Sequence, residues 1–142
     1  MLELRESILS DTSFLGPRLR EADKEELRAA WGETPYAAIL EYGFKNSDNC
    51  WTITHKDEPV AIFGNNGNTL WMVASKEFPK HRRDFLRKGH SVVCQLQEKL
   101  GSLYASSYYK NYLHHKWLLW LGFNYITYDG EYFIFHKDAV NV

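Results

Sequence analysis

Apolar and polar positions change period several times along this chain, and each change marks an element. Residues 2 to 5, Leu-Glu-Leu-Arg, alternate apolar and charged, the pattern of an edge strand. Ser10, Asp11, Thr12 and Ser13 offer N-caps. The spacing beyond them predicts one helix, with Pro17 near its start, Leu19, Leu27, Ala30 and Trp31 on its apolar side and a stop at Gly32. Thr34-Pro35 predicts a second helix, as an N-cap followed by proline in the first helical position. Tyr36, Ile39, Leu40 and Tyr42 form its apolar stripe, which ends near Gly43.

The period then falls to two. Residues 51–55, 60–63 and 69–73 read as three strands, joined by turns at Lys56-Asp57-Glu58-Pro59 and at residues 64–68, which is an antiparallel meander. Phe85, Leu86, Val92, Val93, Leu96 and Leu100 predict a long helix over about residues 79 to 100, stopped by Gly101. A strand over 103–109, a short apolar helix over 112–121 and a hairpin about Asp129-Gly130 complete the pattern. Meander, long helix, strand, short helix and hairpin make a mixed α/β layer fold. The central strand–helix–strand crossover predicts one parallel pair, joined right-handed.

Composition narrows the class. The 142 residues are one domain's worth of chain, with no repeat, linker or low-complexity tract, and so a single domain over 1–142. Aromatic residues make up 15%, which argues against disorder. A net charge of −1 argues against a globally basic nucleic-acid binder. The longest apolar run, Trp117 to Phe123, falls far short of the ~20 residues of a membrane helix. Charges at Glu3, Arg5 and Glu6 come too early for a signal peptide. Cys50 and Cys94 form no CxxC pair and read as reduced core thiols. Adjacent His114 and His115 point apart on a helix, so no metal set is expected. No Gly-x-Ser-x-Gly turn supports a serine nucleophile.

The order of elements resembles the acyl-CoA N-acetyltransferase (GNAT) superfamily. The likeness is sharpest from Asn111 to Gly122-Phe123, where an Asn precedes Gly-Phe by eleven and twelve residues across a short helix. Four segments are most similar to a phage-encoded branch that contains the internal virion protein A of short-tailed phages. They are Cys50-Trp51-Thr52, residues 58–64, residues 81–87 and residues 117–123. The resemblance implies a GNAT-like mixed sheet of six to seven strands with helices on both faces. It also implies acetyl-CoA as cofactor, bound in a cleft between the strands at 69–73 and 103–109. The localisation it implies is the cytoplasm of an infected bacterial host, or the virion.

Residue by residue, the resemblance assigns backbone groups of Met72, Val73 and Ser75 to the pantetheine arm and the start of the long helix to the pyrophosphate. The glycine turn usual at that start is absent from residues 75–86. Residues 76–90 instead hold six basic residues against two acidic ones, a net charge of +4. Arg82 and Arg83 would hold phosphates by side chain, and a solvated helix face is the competing reading. Asn111 is read as a helix cap, as a pantetheine ligand, or as both. Position 118, where many relatives carry a tyrosine that protonates the CoA thiolate, is Leu, which cannot donate a proton. Tyr108 and Tyr109 alternate across the fifth strand and His114 begins the next helix, which makes these three the candidate catalytic groups. Ser106, Ser107 and His115 lie beside them. No carboxylate base is visible on the fourth strand.

Two function classes follow. One is direct transfer of acetyl from acetyl-CoA to an amine, whose class the sequence leaves unnamed. The other is a non-catalytic protein that keeps this fold for virion morphogenesis or for contact with a host or phage protein. Trp117 and Trp120 at i, i+3 on an apolar helix serve either as core or as a contact between two copies.

Overall fold

A computed structural model describes residues 2–139. Seven strands form one sheet: β1 (Leu2–Glu6), β2 (Asn49–His55), β3 (Glu58–Asn66), β4 (Thr69–Ala74), β5 (Leu103–Tyr108), β6 (Asn124–Asp129) and β7 (Tyr132–Lys137). Their order across the sheet is β1-β2-β3-β4-β5-β7-β6. Five helices accompany them: α1 (Leu9–Leu15), α2 (Glu21–Trp31), α3 (Tyr36–Asn46), α4 (Arg82–Leu100) and α5 (Tyr112–Trp120). The mixed α/β fold and the strand count match the expectation. So does the single parallel pair, β4 with β5, across the α4 crossover.

Alternation along the strands sorts the core into two layers. Ile62 and Val73 meet Leu15, Leu19 and Leu40 on the side of α1 and α3. Their neighbours Ala61 and Ala74 face the other way, onto Phe85, Val93, Leu96, Trp117 and Leu118 of α4 and α5. The turn between β2 and β3 is only Lys56-Asp57, both at positive φ. Glu58 and Pro59 belong to β3, where Pro59 sits opposite Thr54 at a bulge, a position that tolerates the missing N–H. Likewise β3 runs on to Asn66, so the expected turn at 64–68 shrinks to Gly67-Asn68.

The first helical segment departs most from expectation. A single helix beyond Pro17 is replaced by α1 before it, a 3-10 turn at Gly16–Arg18, an extended step, and then α2. Two interactions enforce the break: Leu19 bridges Ser75, and the Arg20 N–H donates to the Ala74 carbonyl at 2.9 Å. A continuous helix would have no backbone free for either. Of the expected apolar side only Leu19 and Leu27 pack; Ala30 and Trp31 are exposed. Asp23 and Glu26 are the buried residues of α2 instead. Pro35, not Thr34, occupies the N-cap of α3, and the Thr34 hydroxyl donates back to the Trp31 carbonyl at 2.9 Å. Tyr42 lies outside the core, edge-on to Trp31 at 5.1 Å. Cys94 is exposed and Cys50 half-buried, so neither is a fully enclosed core thiol. Trp117 is core, whereas Trp120 is 43% exposed. No helix among the described residues is long and apolar enough to cross a membrane.

Asp11 ties the first strand to both its neighbours. Its carboxylate accepts two hydrogen bonds from Arg5 at 2.8 Å, one from the Ile8 N–H at 2.9 Å and one from the Thr52 hydroxyl at 2.7 Å. Burial works against its ionised form, but Arg5, Ile8 and Thr52 together hold the carboxyl below the usual range. Replacing Asp11 with Ala strands the Ile8 N–H and leaves Arg5 without its carboxylate, while the Thr52 hydroxyl keeps Ser7 as its partner at 2.8 Å. The expected loss is about 2 to 3 kcal/mol of stability, to be read from the urea midpoint.

Candidate functional site

The β4/β5 pairing lasts two residues. Thr69 sits opposite Tyr104 and Leu70 opposite Ala105; beyond them the strands part. Parallel strands that part expose backbone groups on both facing edges, and each needs a partner. On β4, Ala74 and Met72 point toward the gap. Residues Val73 and Ser75 point back to β3, as the Ser75 N–H donating to the Val60 carbonyl at 2.8 Å requires. On β5, Tyr108 is the corresponding position.

Helix α2 fills the wide end of this gap with side-chain oxygens. Asp23 Oδ2 accepts from the Ala74 N–H at 2.9 Å, and Glu26 Oε1 accepts from the Tyr108 N–H. Tyr132 donates its hydroxyl to the Glu26 carbonyl at 2.9 Å. The same carboxylates gather the side chains of α5. Asn111 Nδ2 donates to Asp23 Oδ1 at 2.9 Å, and Arg20 donates both to Asp23 Oδ1 at 3.1 Å and to Asn111 Oδ1 at 3.2 Å. Arg20 also lies over the Trp117 ring at 4.9 Å. His114 Nδ1 stands 3.8 Å from Glu26 Oε1.

Asp23, Glu26, Asn111 and His114 are all buried, which sets their electrostatics. Burial pushes the Asp23 carboxyl up, against the pull of Arg20, His114, Asn111 and the Ala74 N–H. Burial opposes charge on His114 too, but the Glu26 and Asp23 carboxylates outweigh it and raise its pKa. Burial beside Glu26 pushes Tyr132 up to about 12. A buried carboxylate–imidazole pair of this kind can hold or pass a proton.

The expected site residues divide. Met72, Asn111 and His114 lie at the gap together with the Tyr108 backbone N–H, while the Tyr108 ring packs with Tyr109 and Tyr132 and its hydroxyl is directed to Glu131. Val73 packs its side chain with α1 and α3. Ser75 is buried, and its hydroxyl accepts from the Glu77 N–H at 3.2 Å, pinning the turn before α4. Tyr109 is partly exposed beside Lys110. Asn111 occupies the N-cap of α5 but makes no side-chain cap bond; both its amide atoms go to Arg20 and Asp23. Arg82 and Arg83 are exposed on the first turn of α4, whose N-terminus carries no side-chain cap. Within the basic stretch, Lys80 pairs with Glu77 at 2.7 Å, while Asp84 and Lys88 are both engaged by the backbone of Leu2. His115 is tied to the Tyr108 carbonyl at 3.0 Å.

Arg20, Asp23 and Glu26 were not legible from hydrophobic pattern. The signal that finds them is an Arg-x-x-Asp-x-x-Glu spacing that runs from the N-cap along one face of α2. The expected absence of a carboxylate on β4 stands, and α2 supplies two beside it.

An apolar cavity of about 60 Å³ adjoins the gap and is lined by Leu70, Met72, Ala105, His114 and Leu118 among others. Among the described residues, Ser107 Oγ, His114 Nδ1 and Trp117 Nε1 of β5 and α5 are buried without a hydrogen-bond partner, as is Gln97 Oε1.

Solved structures share this architecture. The PaiA N-acetyltransferase of Thermoplasma acidophilum, in complex with coenzyme A, superposes with a TM-score of 0.68 at 13% identity over 97% of this chain and 99% of that one. The ribosomal-protein-S18-alanine N-acetyltransferase of Escherichia coli gives 0.65 at 10% identity over 100% and 96%. An acetyltransferase of Thermus thermophilus gives 0.68 at 16% identity over 97% and 97%. No protein-family model matches the sequence, and no curated protein matches it. The fold is that of the GNAT acetyltransferases.

The raised pKa of His114 has a consequence for stability. A base held protonated in the fold stabilises it fully below its unfolded value of about 6.5, and that stability is lost as pH rises through the higher folded value. The groups facing His114 are Glu26, Asp23 and Arg20. Urea midpoints compared across neutral and mildly alkaline pH are expected to fall for the native chain, and His114→Gln is expected to flatten that part of the fall.

Proposed function

We propose that the protein is a divergent N-acetyltransferase that moves an acetyl group from acetyl-CoA to an amine. The observation that carries this is the β4/β5 gap: a strand edge at Met72 without a strand partner, facing a buried acid–base pair, Glu26 with His114. The Met72 backbone would receive the pantetheine arm. Arg82 and Arg83, at an uncapped helix start and without a carboxylate partner among the described residues, would hold the phosphates. Asn111 would fix the donor's reactive end from the floor of the gap.

In the transfer itself, the amine nitrogen attacks the thioester carbonyl. A C–N bond forms, the C–S bond breaks, and the sulfur leaves as a thiolate. The nitrogen's proton passes to the Glu26 carboxylate beside His114. Tyr108, whose pKa burial raises, stays protonated and would donate to the thiolate in place of the tyrosine that Leu118 replaces. Tyr109 is the alternative donor. Proximity carries much of the rate in such a mechanism.

A specific observation favours a second, non-catalytic reading. The backbone at Ala74 and Tyr108 and both atoms of the Asn111 amide are already satisfied by α2 and Arg20. On that reading the fold serves virion morphogenesis or a host contact. The phage lineage rests on the four sequence segments. The apolar outer side of α5, with Tyr112, Leu119 and Trp120 exposed, is the surface the homodimer would use.

Calorimetric titration of acetyl-CoA, with desulfo-CoA alongside, tests the leading reading. Micromolar binding is expected, and no binding at millimolar cofactor would leave the non-catalytic reading. Arg82→Ala with Arg83→Ala is expected to weaken CoA binding about tenfold with little change in melting temperature. Sedimentation tests the homodimer: concentration-dependent association that Trp120→Ser abolishes is the expected outcome, and a strict monomer at high concentration overturns it.

A further inference from the structure

We infer that the donor carries an acyl chain longer than acetyl, of about four carbons, and that the cavity beneath α4 is its pocket. This rests on the acyl-CoA reading above and deepens it. The cavity adjoins the β4/β5 gap: Met72 lies on the gap's edge and His114 in its polar cluster, and both line the cavity. From there it runs between the sheet and α4, past Leu70, Ala105 and Leu118 to Ile53.

Its chemistry selects the occupant. Apart from Trp71, the side chains that line it with polar atoms are His114 and Lys88, and the Lys88 ammonium is engaged by the Leu2 carbonyl. Water needs two to four polar partners to be held in such a space, and this lining does not supply them along its length. An apolar group is the occupant that fits. A space of about 60 Å³ has room for a short run of methylene-sized groups and not for one alone. The methyl of acetyl would leave most of it empty, whereas a butyryl chain, its carbonyl at the mouth, places three carbons inside.

The placement also orders the reaction. With the chain in the cavity, the thioester carbonyl lies at the mouth, beside Met72 and His114. The amine approaches from the α2 side. The C–N bond forms, the C–S bond breaks, and the amine's proton passes to the Glu26 carboxylate. The acylated amine and free CoA are the products.

The test is a calorimetric series on the intact protein with CoA, acetyl-CoA, butyryl-CoA and octanoyl-CoA. Butyryl-CoA is expected to bind roughly tenfold tighter than acetyl-CoA, as burial of two further methylenes implies, and octanoyl-CoA to lose that gain. Ala105→Ile, which fills the cavity from β5, is expected to erase the butyryl preference and leave CoA binding unchanged. Leu118→Phe fills it from α5 and serves if the first variant does not fold, as thermal unfolding will show. Equal affinity for acetyl-CoA and butyryl-CoA, or a butyryl preference that persists in a folded filled variant, overturns the inference while the acyl-CoA reading stands. No binding of any of the four overturns that reading and the inference with it.

Discussion

The parting of β4 and β5 after Leu70 and Ala105 is the constraint on which the rest of the site depends. Two parallel strands that separate inside a protein leave N–H and C=O groups facing each other across a space too wide to bond. Burying such groups unpaired costs on the order of 1 to 3 kcal/mol each. The chain meets that demand with carboxylates delivered from α2, one to each strand, at Ala74 and Tyr108. The break in the first helical segment follows from the same demand. Only an extended Leu19-Arg20 step both bonds the end of β4 and aims α2 into the opening.

Carboxylates in that position bring a second problem, since burying charge is more expensive than burying an amide. Arg20 and His114 answer it as counter-charges, and Asn111 uses both of its polar atoms between Asp23 and Arg20. The network therefore couples α2, β4, β5 and the start of α5. Its members are mutually dependent in a way that the apolar core is not. Removing an apolar side chain leaves a void, whereas removing one charge leaves another buried and uncompensated.

This division explains what was legible in the sequence. The strands and the two later helices follow from period two and period 3.6, because their buried faces are apolar and the pattern reports burial directly. Asn111 was singled out by its spacing to Gly122-Phe123, which the resemblance supplies, and Tyr108 and His114 by their places on the fifth strand and at the start of the next helix. Asp23 and Glu26 were not, because a pattern method treats an Asp or Glu as solvent-facing, and here the polar face of α2 is the one turned inward. Trp31 and Tyr42 were misread by the same logic in reverse: they cover each other at the surface, edge-on. Val73 and Ser75 fell on the wrong edge of β4 because the choice between alternate residues depends on register with β3, which one strand's sequence does not carry.

His114 is where the two halves of the site join. On one side it meets Glu26 within the polar network; on the other it lines the apolar cavity with Leu118. A buried imidazole in that position is forced to balance two opposed environments. The apolar side favours its neutral form and the carboxylates favour its charged one, with the carboxylates prevailing. Any occupant that enters the cavity changes the first term, and any amine that approaches Glu26 changes the second. The proton state of His114 is thus coupled to both sides of the gap.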